Sequence, residues 1–258
     1  MNRTQHATAR TTALSVTTGR PFLRRSVGGP VFLREALRTM RETGALAPSG
    51  SRLANGLAAP LPAAGERHGP VRVLEVGAGT GTVTRTLAER LGAGDRLEAV
   101  EINHRFVRML HDALRLDPAL SAAAKCIRII PESITELPLE ERTYDVIVSC
   151  LPFTNFEPDL VRSLLDRYLT ALVPGGHPTY FGYLGTLASR NLVGSRAEAA
   201  RHRAVAAVLA EFSARYGNGG GRRVVWRNLP PARVSHLRAP VRCSLLADAD
   251  TGTPETGQ

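Results

Sequence analysis

The chain has 258 residues and 43% hydrophobic content, which is enough for one large domain, or a domain with appendages, around an apolar core. No run of about 18 apolar residues occurs, so the sequence predicts no membrane-spanning helix. Cys126, Cys150 and Cys243 lack the spacing of paired or metal-binding cysteines. We therefore expect reduced thiols, a cytoplasmic protein and no bound metal.

The charge is distributed unevenly along the chain. Residues 1–70 carry a net charge of +7 and residues 181–258 a net charge of +6, whereas residues 71–180 carry −3. Basic flanks suit an anionic partner, either membrane headgroups or nucleic acid. The alternative is that surface arginines only keep the protein in solution.

The first 69 residues precede the main domain. Residues 1–29 are rich in Thr, Ser and Arg without periodicity, and we expect a disordered tail. Residues 31–40 predict a short amphipathic helix, which either lies on an anionic bilayer or packs its apolar side on the main domain. A loop then leads to a helix capped near Ser49 or Ser51, and residues 60–70 form a linker. Residues 30–69 are thus a predicted helical cap and linker.

A strand, a glycine turn, a helix and a second strand follow in order from Val71. The apolar residues 71–76 predict a buried strand, and three alternate glycines come directly after it. A helix over residues 83–91 leads to a strand over 96–100 that ends on Glu101. Glycines allow close approach of the backbone to a ligand, and a carboxylate can bind both ribose hydroxyls. The segment therefore predicts a nucleotide site.

Helices and strands continue to alternate until about residue 216. Such alternation predicts an α/β domain over residues 70–240 with a doubly wound, mostly parallel sheet, closed by a C-terminal antiparallel hairpin. Residues 241–258 are a predicted flexible tail. The remaining helices are expected at residues 104–116 with Asn103 as cap, 158–172 and 195–216, and the strands at 126–130, 144–150, 177–183, 222–226 and 233–237, with a turn at 217–221.

The pattern Glu75-x-Gly-x-Gly-x-Gly81 resembles motif I of the class I S-adenosylmethionine-dependent methyltransferases. An NAD site or an ordinary tight turn is the alternative, but Thr82 stands where the dinucleotide fingerprint has its last glycine. The resemblance implies a Rossmann-like fold and S-adenosyl-L-methionine as cofactor. The cofactor-binding residues that it implies are Glu75, Gly77, Ala78, Gly79, Gly81, Glu101, Ile102, Glu132 and Ser133.

The segment Cys150-Leu-Pro-Phe-Thr-Asn-Phe156 follows the fourth predicted strand. It is similar to the proline turn of amino-group methyltransferases, in which an aromatic ring favours a developing positive charge. Cys150 stands where adenine-specific enzymes have Asn. Phe153 is either that ring or a core aromatic. The implied acceptor-side residues are Cys150, Phe153, Asn155 and Tyr180, and the candidates for removing the amine proton are Tyr180, Tyr183, His177 and Glu132.

Three segments together resemble the bacterial phospholipid N-methyltransferases: Thr43-Gly-Ala-Leu-Ala-Pro-Ser49, the Cys150 segment, and Arg227-Asn-Leu-Pro-Pro-Ala232. This resemblance implies methylation of the phosphatidylethanolamine headgroup by an enzyme peripheral on the inner face of the membrane. The alternatives are an amine methyltransferase of specialised metabolism and an rRNA adenine N6-methyltransferase. Cys150, and the lack of a predicted helical nucleic-acid domain between Leu237 and Gln258, argue against nucleic acid. A degenerate fold that serves only as a binding module is poorly motivated, since the whole motif is present.

Overall fold

The computed structural model describes residues 50–184, 196–226, 228 and 231–241. The predicted tail over residues 1–29, the predicted helix over 31–40 and all but the first residue of the predicted tail 241–258 lie outside these ranges. The predicted boundary between cap and main domain at residue 70 stays a prediction. No helix in the described ranges is both long enough and apolar enough to cross a bilayer.

One mixed sheet dominates the described part of the chain. Its strands are β1 (Arg72–Val76), β2 (Arg96–Val100), β3 (Ile127–Ile130), β4 (Tyr144–Ser149), β5 (Leu172–Tyr183), β6 (Gly217–Val225) and β7 (Ala232–Leu237). The spatial order is β3-β2-β1-β4-β5-β7-β6. The first five strands pair in parallel, and β7 pairs antiparallel with both β5 and β6. This arrangement confirms the predicted α/β Rossmann-like fold with a C-terminal antiparallel hairpin.

Helices cover both faces of the sheet because its parallel strands alternate their apolar side chains between two cores. The helices are α1 (Ser51–Leu57), α2 (Thr82–Ala88), α3 (His104–Leu116), α4 (Pro118–Ala122), α5 (Pro158–Ala171) and α6 (Arg196–Tyr216). Leu74 and Ile147 pack with α5 and α6 on one face. Val73 and Val148 pack with α1 and α2 on the other. The carboxyl ends of β1, β2 and β4 are left between these layers.

Helix α1 is part of the second core although it precedes the first strand by 14 residues. Gly56 lies so close to β7 that a Cβ there would be 3.2 Å from Val234 Cγ2. Arg90 donates from Nη1 to the carbonyl oxygens of Ala58 and Leu61, at 3.0 and 2.9 Å. The segment that follows α1 is therefore fixed to the end of α2.

The structure differs from the predicted elements at four places. Strand β5 begins at Leu172, not at residue 177, because Leu172 already pairs with Tyr144 before an irregularity in β4. The glycine-rich run from Gly217 forms the start of β6 and not a turn, since Gly217 pairs with Leu237. Helix α1 has Gly50 as its N-cap in place of Ser49 or Ser51, without a side-chain cap. Helix α4, whose cap is Asp117, was not predicted from the sequence.

Candidate active site

The glycine turn after β1 is hydrogen-bonded to β2 and lies close to two leucine side chains. The main-chain nitrogens of Gly77 and Ala78 both donate to Val100 O, at 2.8 and 3.1 Å, which joins the turn to β2. Gly77 has a φ of +78°, and a Cβ there would lie 3.0 Å from a methyl carbon of Leu151. Gly81 has a φ of +87°, and its Cβ would lie 2.9 Å from Leu110. Side chains at these positions would be strained and crowded, so the turn requires glycine.

Glu101 connects this turn to the loop after β2. Its Oε2 accepts a hydrogen bond from Gly79 N at 2.8 Å, and its Oε1 accepts one from Asn103 N at 2.7 Å. The residue is 5% exposed. A carboxylate has about four lone-pair positions, so each oxygen can still accept a second hydrogen bond. The carboxylate is thus held rigidly with capacity left for a pair of ligand hydroxyls.

Glu75 is fully buried behind the turn. Burial raises the pKa of this carboxyl to about 7; neighbouring Thr84 opposes the rise, and the negative charge of Glu101 adds to it. Within the described residues neither carboxylate oxygen of Glu75 has a hydrogen bond of good geometry. Glu75 does not line the pocket. Its predicted contact with the cofactor stays a prediction.

A pocket with about 600 Å³ of space, partly open to solvent, lies at the carboxyl ends of β1, β2 and β4. It brings together six of the predicted site residues: Gly77, Gly79, Glu101, Ile102, Glu132 and Cys150. Seven further lining residues were missed, namely Val76, Val100, Asn103, Phe106, Ile134, Leu151 and Pro152. Phe106 could have been found from the sequence, since it lies three positions after the helix cap Asn103 and shares its face.

Besides Glu75, three predicted cofactor residues do not line the pocket. Ala78 is buried against Ala99 and Leu110. Gly81 caps α2. The Ser133 hydroxyl lies 2.7 Å from the Thr135 hydroxyl and accepts a hydrogen bond from Thr135 N, so it orders its own loop. Ala78 and Gly81 therefore shape the turn, and Ser133 shapes the loop that carries Glu132.

Phe153 and Tyr180 lie in the hydrophobic core and not in the pocket. Phe153 is 1% exposed, and its ring packs edge-on against Tyr180 with centroids 5.6 Å apart. The Tyr180 hydroxyl donates to Leu209 O at 3.4 Å, on the far side from the pocket. Asn155 belongs to the same short 3-10 helix, Phe153–Asn155, and is also absent from the lining. The turn after Pro152 directs the Phe153 ring inward under α6, and the predicted contacts of these residues with the acceptor stay a prediction.

Cys150 is the one predicted acceptor-side residue that lines the pocket. Burial, and then the charges of Glu75 and Glu101, raise the pKa of its thiol well above the ordinary value. The thiol therefore stays protonated at neutral pH, which disfavours the thiolate that a nucleophile or metal ligand needs.

Of the four candidate proton acceptors, Glu132 alone lines the pocket. His177 lies in the middle of β5, with Nδ1 3.1 Å from Leu237 O, which indicates a structural role. Burial raises the pKa of Tyr183, and its ring packs edge-on against Phe181. Glu132 is exposed at the rim, where it can exchange protons with water.

Comparison with known proteins finds similarity to methyltransferases around this site. Residues 73–176 match the protein family described as "Methyltransferase domain". An ornithine lipid N-methyltransferase from Singulisphaera acidiphila is 28% identical over 104 residues, which cover 40% of this chain and 53% of that protein. The ubiquinone/menaquinone biosynthesis C-methyltransferase UbiE from Idiomarina loihiensis is 30% identical over 112 residues, covering 43% and 42%. The chain thus spans about half the length of these curated relatives.

A solved structure shares the fold. The N-methyltransferase NodS from Bradyrhizobium japonicum WM9, in complex with S-adenosyl-L-homocysteine, superposes with a TM-score of 0.50 at 17% identity and covers 81% of this chain and 98% of that one. The matched family and the topology confirm the expected class I methyltransferase fold. Residues 73–176 thus match a methyltransferase domain, and the described sheet has the Rossmann-like fold expected of that class.

Proposed function

We propose that this chain transfers a methyl group from S-adenosyl-L-methionine to the amine nitrogen of a phospholipid headgroup, phosphatidylethanolamine, at the cytoplasmic surface of a membrane. Two observations support a lipid amine as the acceptor. The relative from Singulisphaera acidiphila is named for N-methylation of a lipid. The Cys150-Leu-Pro-Phe turn, which resembles that of amino-group methyltransferases, contributes Cys150, Leu151 and Pro152 to the pocket.

The charge of the pocket carries the proposal. Among the described residues, the charged side chains that line it are two carboxylates, Glu101 and Glu132, with Glu75 buried close behind. The chain as a whole has a net charge of +10. An acidic pocket in a basic protein favours a cationic sulfonium and an amine that becomes cationic. A phosphate or carboxylate acceptor would instead need a cation inside the pocket.

The residues present fit the cofactor. Glu101 would hold the ribose hydroxyls with its free lone pairs, and the glycine turn, which a Cβ would obstruct at Gly77, would lie against the methionine part. Ile102 and Phe106 give apolar surface beside Glu101 for the adenine. The cofactor supplies an electrophilic methyl group on a sulfonium. The protein supplies orientation and exclusion of water, for which Leu151 and Pro152 form an apolar wall.

An amine must be neutral to attack a methyl group, whereas an alkylammonium has a pKa of about 10, similar to that of a lysine side chain. We assign Glu132 the role of accepting the proton from the incoming ammonium and passing it to water. Its position at the pocket rim allows both steps. The neutral amine would then be the nucleophile toward the methyl group that a bound cofactor would supply, with S-adenosylhomocysteine as the leaving group.

The experiment supplies methyl-labelled S-adenosylmethionine and measures label in three acceptors, each tested alone: phosphatidylethanolamine vesicles, soluble ethanolamine and other free amines, and rRNA. We expect label in the lipid, and none with Glu101→Ala under the same conditions. Label in free amines but not in lipid would indicate a soluble acceptor. Label in rRNA would contradict the inference drawn from Cys150.

A further inference from the structure

The tip of the β6–β7 hairpin exposes an unusual pair of side-chain types. Trp226, the only tryptophan of the chain, directly follows β6 and is 73% exposed. Arg223 and Arg233, on the strands that meet at this tip, are both exposed. Tryptophan beside arginine at a surface is typical of proteins that lie at the headgroup level of a bilayer.

The strand register places this tip at the same edge of the sheet as the pocket. Val225 pairs with Ala232, and Ala232 pairs with Tyr183 at the carboxyl end of β5. Strand β5 neighbours β4, which leads into Cys150. Three strand spacings separate β6 from β4, so Trp226 stands about 14 Å sideways from the acceptor side of the pocket. A flat surface that contacts Trp226 would therefore face the same edge of the sheet as the pocket.

The charge around the tip has one sign. The elements α1, β6 and β7 contain no Asp or Glu. In the described ranges, Arg223, Arg233 and Arg52 of α1 form no ion pair. Arg52 belongs to this group because Gly50 N donates to Asn228 Oδ1 at 3.2 Å, which joins the start of α1 to the hairpin. The 49 residues that precede Gly50 in the sequence contain eight Arg and two Glu.

We propose that the hairpin tip, comprising Trp226, Arg223 and Arg233 with Arg52 beside it, is a membrane anchor that inserts the tryptophan ring among the headgroups of an anionic bilayer. The inference rests on the proposed function because it takes the acceptor to lie in a lipid surface. Anionic phosphates would neutralise the arginines, and the indole would lie at the interface between headgroups and acyl chains. The anchor would hold the pocket mouth toward the headgroups.

The single tryptophan makes the test direct, because all indole fluorescence comes from Trp226. The full chain is titrated with vesicles of phosphatidylcholine and phosphatidylglycerol, which contain no amine that the enzyme could methylate, and with phosphatidylcholine alone. We expect a blue shift of the emission and quenching by brominated acyl chains on the anionic vesicles only. Emission that stays unchanged when sedimentation shows the protein bound, or absence of binding, overturns the anchor.

Matched variants separate the tip from general charge. Arg223→Gln with Arg233→Gln should weaken anionic vesicle binding on the order of 30-fold, from the usual contribution of two arginines near such a surface. Arg72→Gln with Arg96→Gln removes the same charge at the opposite edge of the sheet, where both side chains are exposed, and should change binding less than threefold. Equal losses in both pairs would overturn the assignment to the hairpin. Methylation assays are separate: a blue shift without lipid methylation contradicts the proposed function alone, and methylation without a shift contradicts the anchor alone.

Discussion

Replacing Glu101 by alanine should weaken cofactor binding by one to two orders of magnitude. In the structure this carboxylate is 5% exposed and already accepts one main-chain hydrogen bond on each oxygen. The ribose hydroxyls would add one charge-assisted hydrogen bond to each oxygen, and we take about 1.5–3 kcal/mol as the net loss for the pair together. A loss of that size corresponds to a Kd about 10 to 150 times higher.

The assay is titration calorimetry with S-adenosylhomocysteine, which does not react further. Glu101→Gln is the matched variant, because the amide retains one accepting oxygen and the size of the side chain; we expect an intermediate loss. Glu89→Ala, which removes an exposed carboxylate from the end of α2, should bind normally. A thermal melt checks that Glu101→Ala stays folded. A folded Glu101→Ala protein with wild-type affinity would refute the assignment of the ribose site.

Four further results are expected. Burial raises the pKa of Glu75 to about 7 in the folded protein, against 4.5 for an exposed carboxyl, so ionisation of Glu75 disfavours the folded state. The free energy of unfolding should therefore fall as the pH rises from about 4.5 to 7, and this contribution should stay constant above pH 7. Urea unfolding across this range should show Glu75→Gln gaining on the order of 3 kcal/mol relative to wild type; a pH-independent difference would contradict it. Phe153→Leu should lower the melting temperature, because the ring lies in the core, and should leave the rate of methyl transfer per folded molecule within about threefold of the wild-type rate. A loss of kcat without a loss of stability would instead indicate that the ring contacts the acceptor. Glu132→Gln should reduce kcat about tenfold at pH 7 and less at pH 9, where more of the amine is neutral; an unchanged pH–rate profile would exclude it as proton acceptor. Deleting residues 1–41 should reduce binding to anionic vesicles, most at low salt because added salt screens the charges that the deletion removes, and should leave calorimetric cofactor affinity intact. Vesicle binding equal to that of the full chain would contradict a role of the basic N-terminal block at the membrane.

The cofactor side of the site could be predicted from the sequence because its determinants are local. The turn needs glycine at fixed positions, and Glu101 follows a strand whose predicted bounds, 96–100, are those of β2. Both depend on the pairing of two neighbouring strands. Five of the nine predicted cofactor residues line the pocket, namely Gly77, Gly79, Glu101, Ile102 and Glu132. Glu75 is buried behind it.

The acceptor side could not be predicted in the same way. Whether the ring of Phe153 points to the pocket or to the core depends on α6, which joins the sheet more than 40 residues later in the chain. The glycine run at the start of β6 has turn composition, but its pairing with β7 overrides that preference. Helix α4 was missed because five residues show no period, although Asp117 before Pro118 is a start signal for a helix.

The bridge that Glu101 forms between Gly79 N and Asn103 N has a consequence for how the free protein behaves over time. Both amides are already bonded before any ligand arrives, so their hydrogen exchange should be slow in the free protein and change little when cofactor is added. Slowing on ligand addition should instead concentrate in the loop that carries Glu132. A site that is ordered in advance gives up little conformational freedom on binding, and the cofactor can then enter and leave at each turnover without the sheet edge refolding around it.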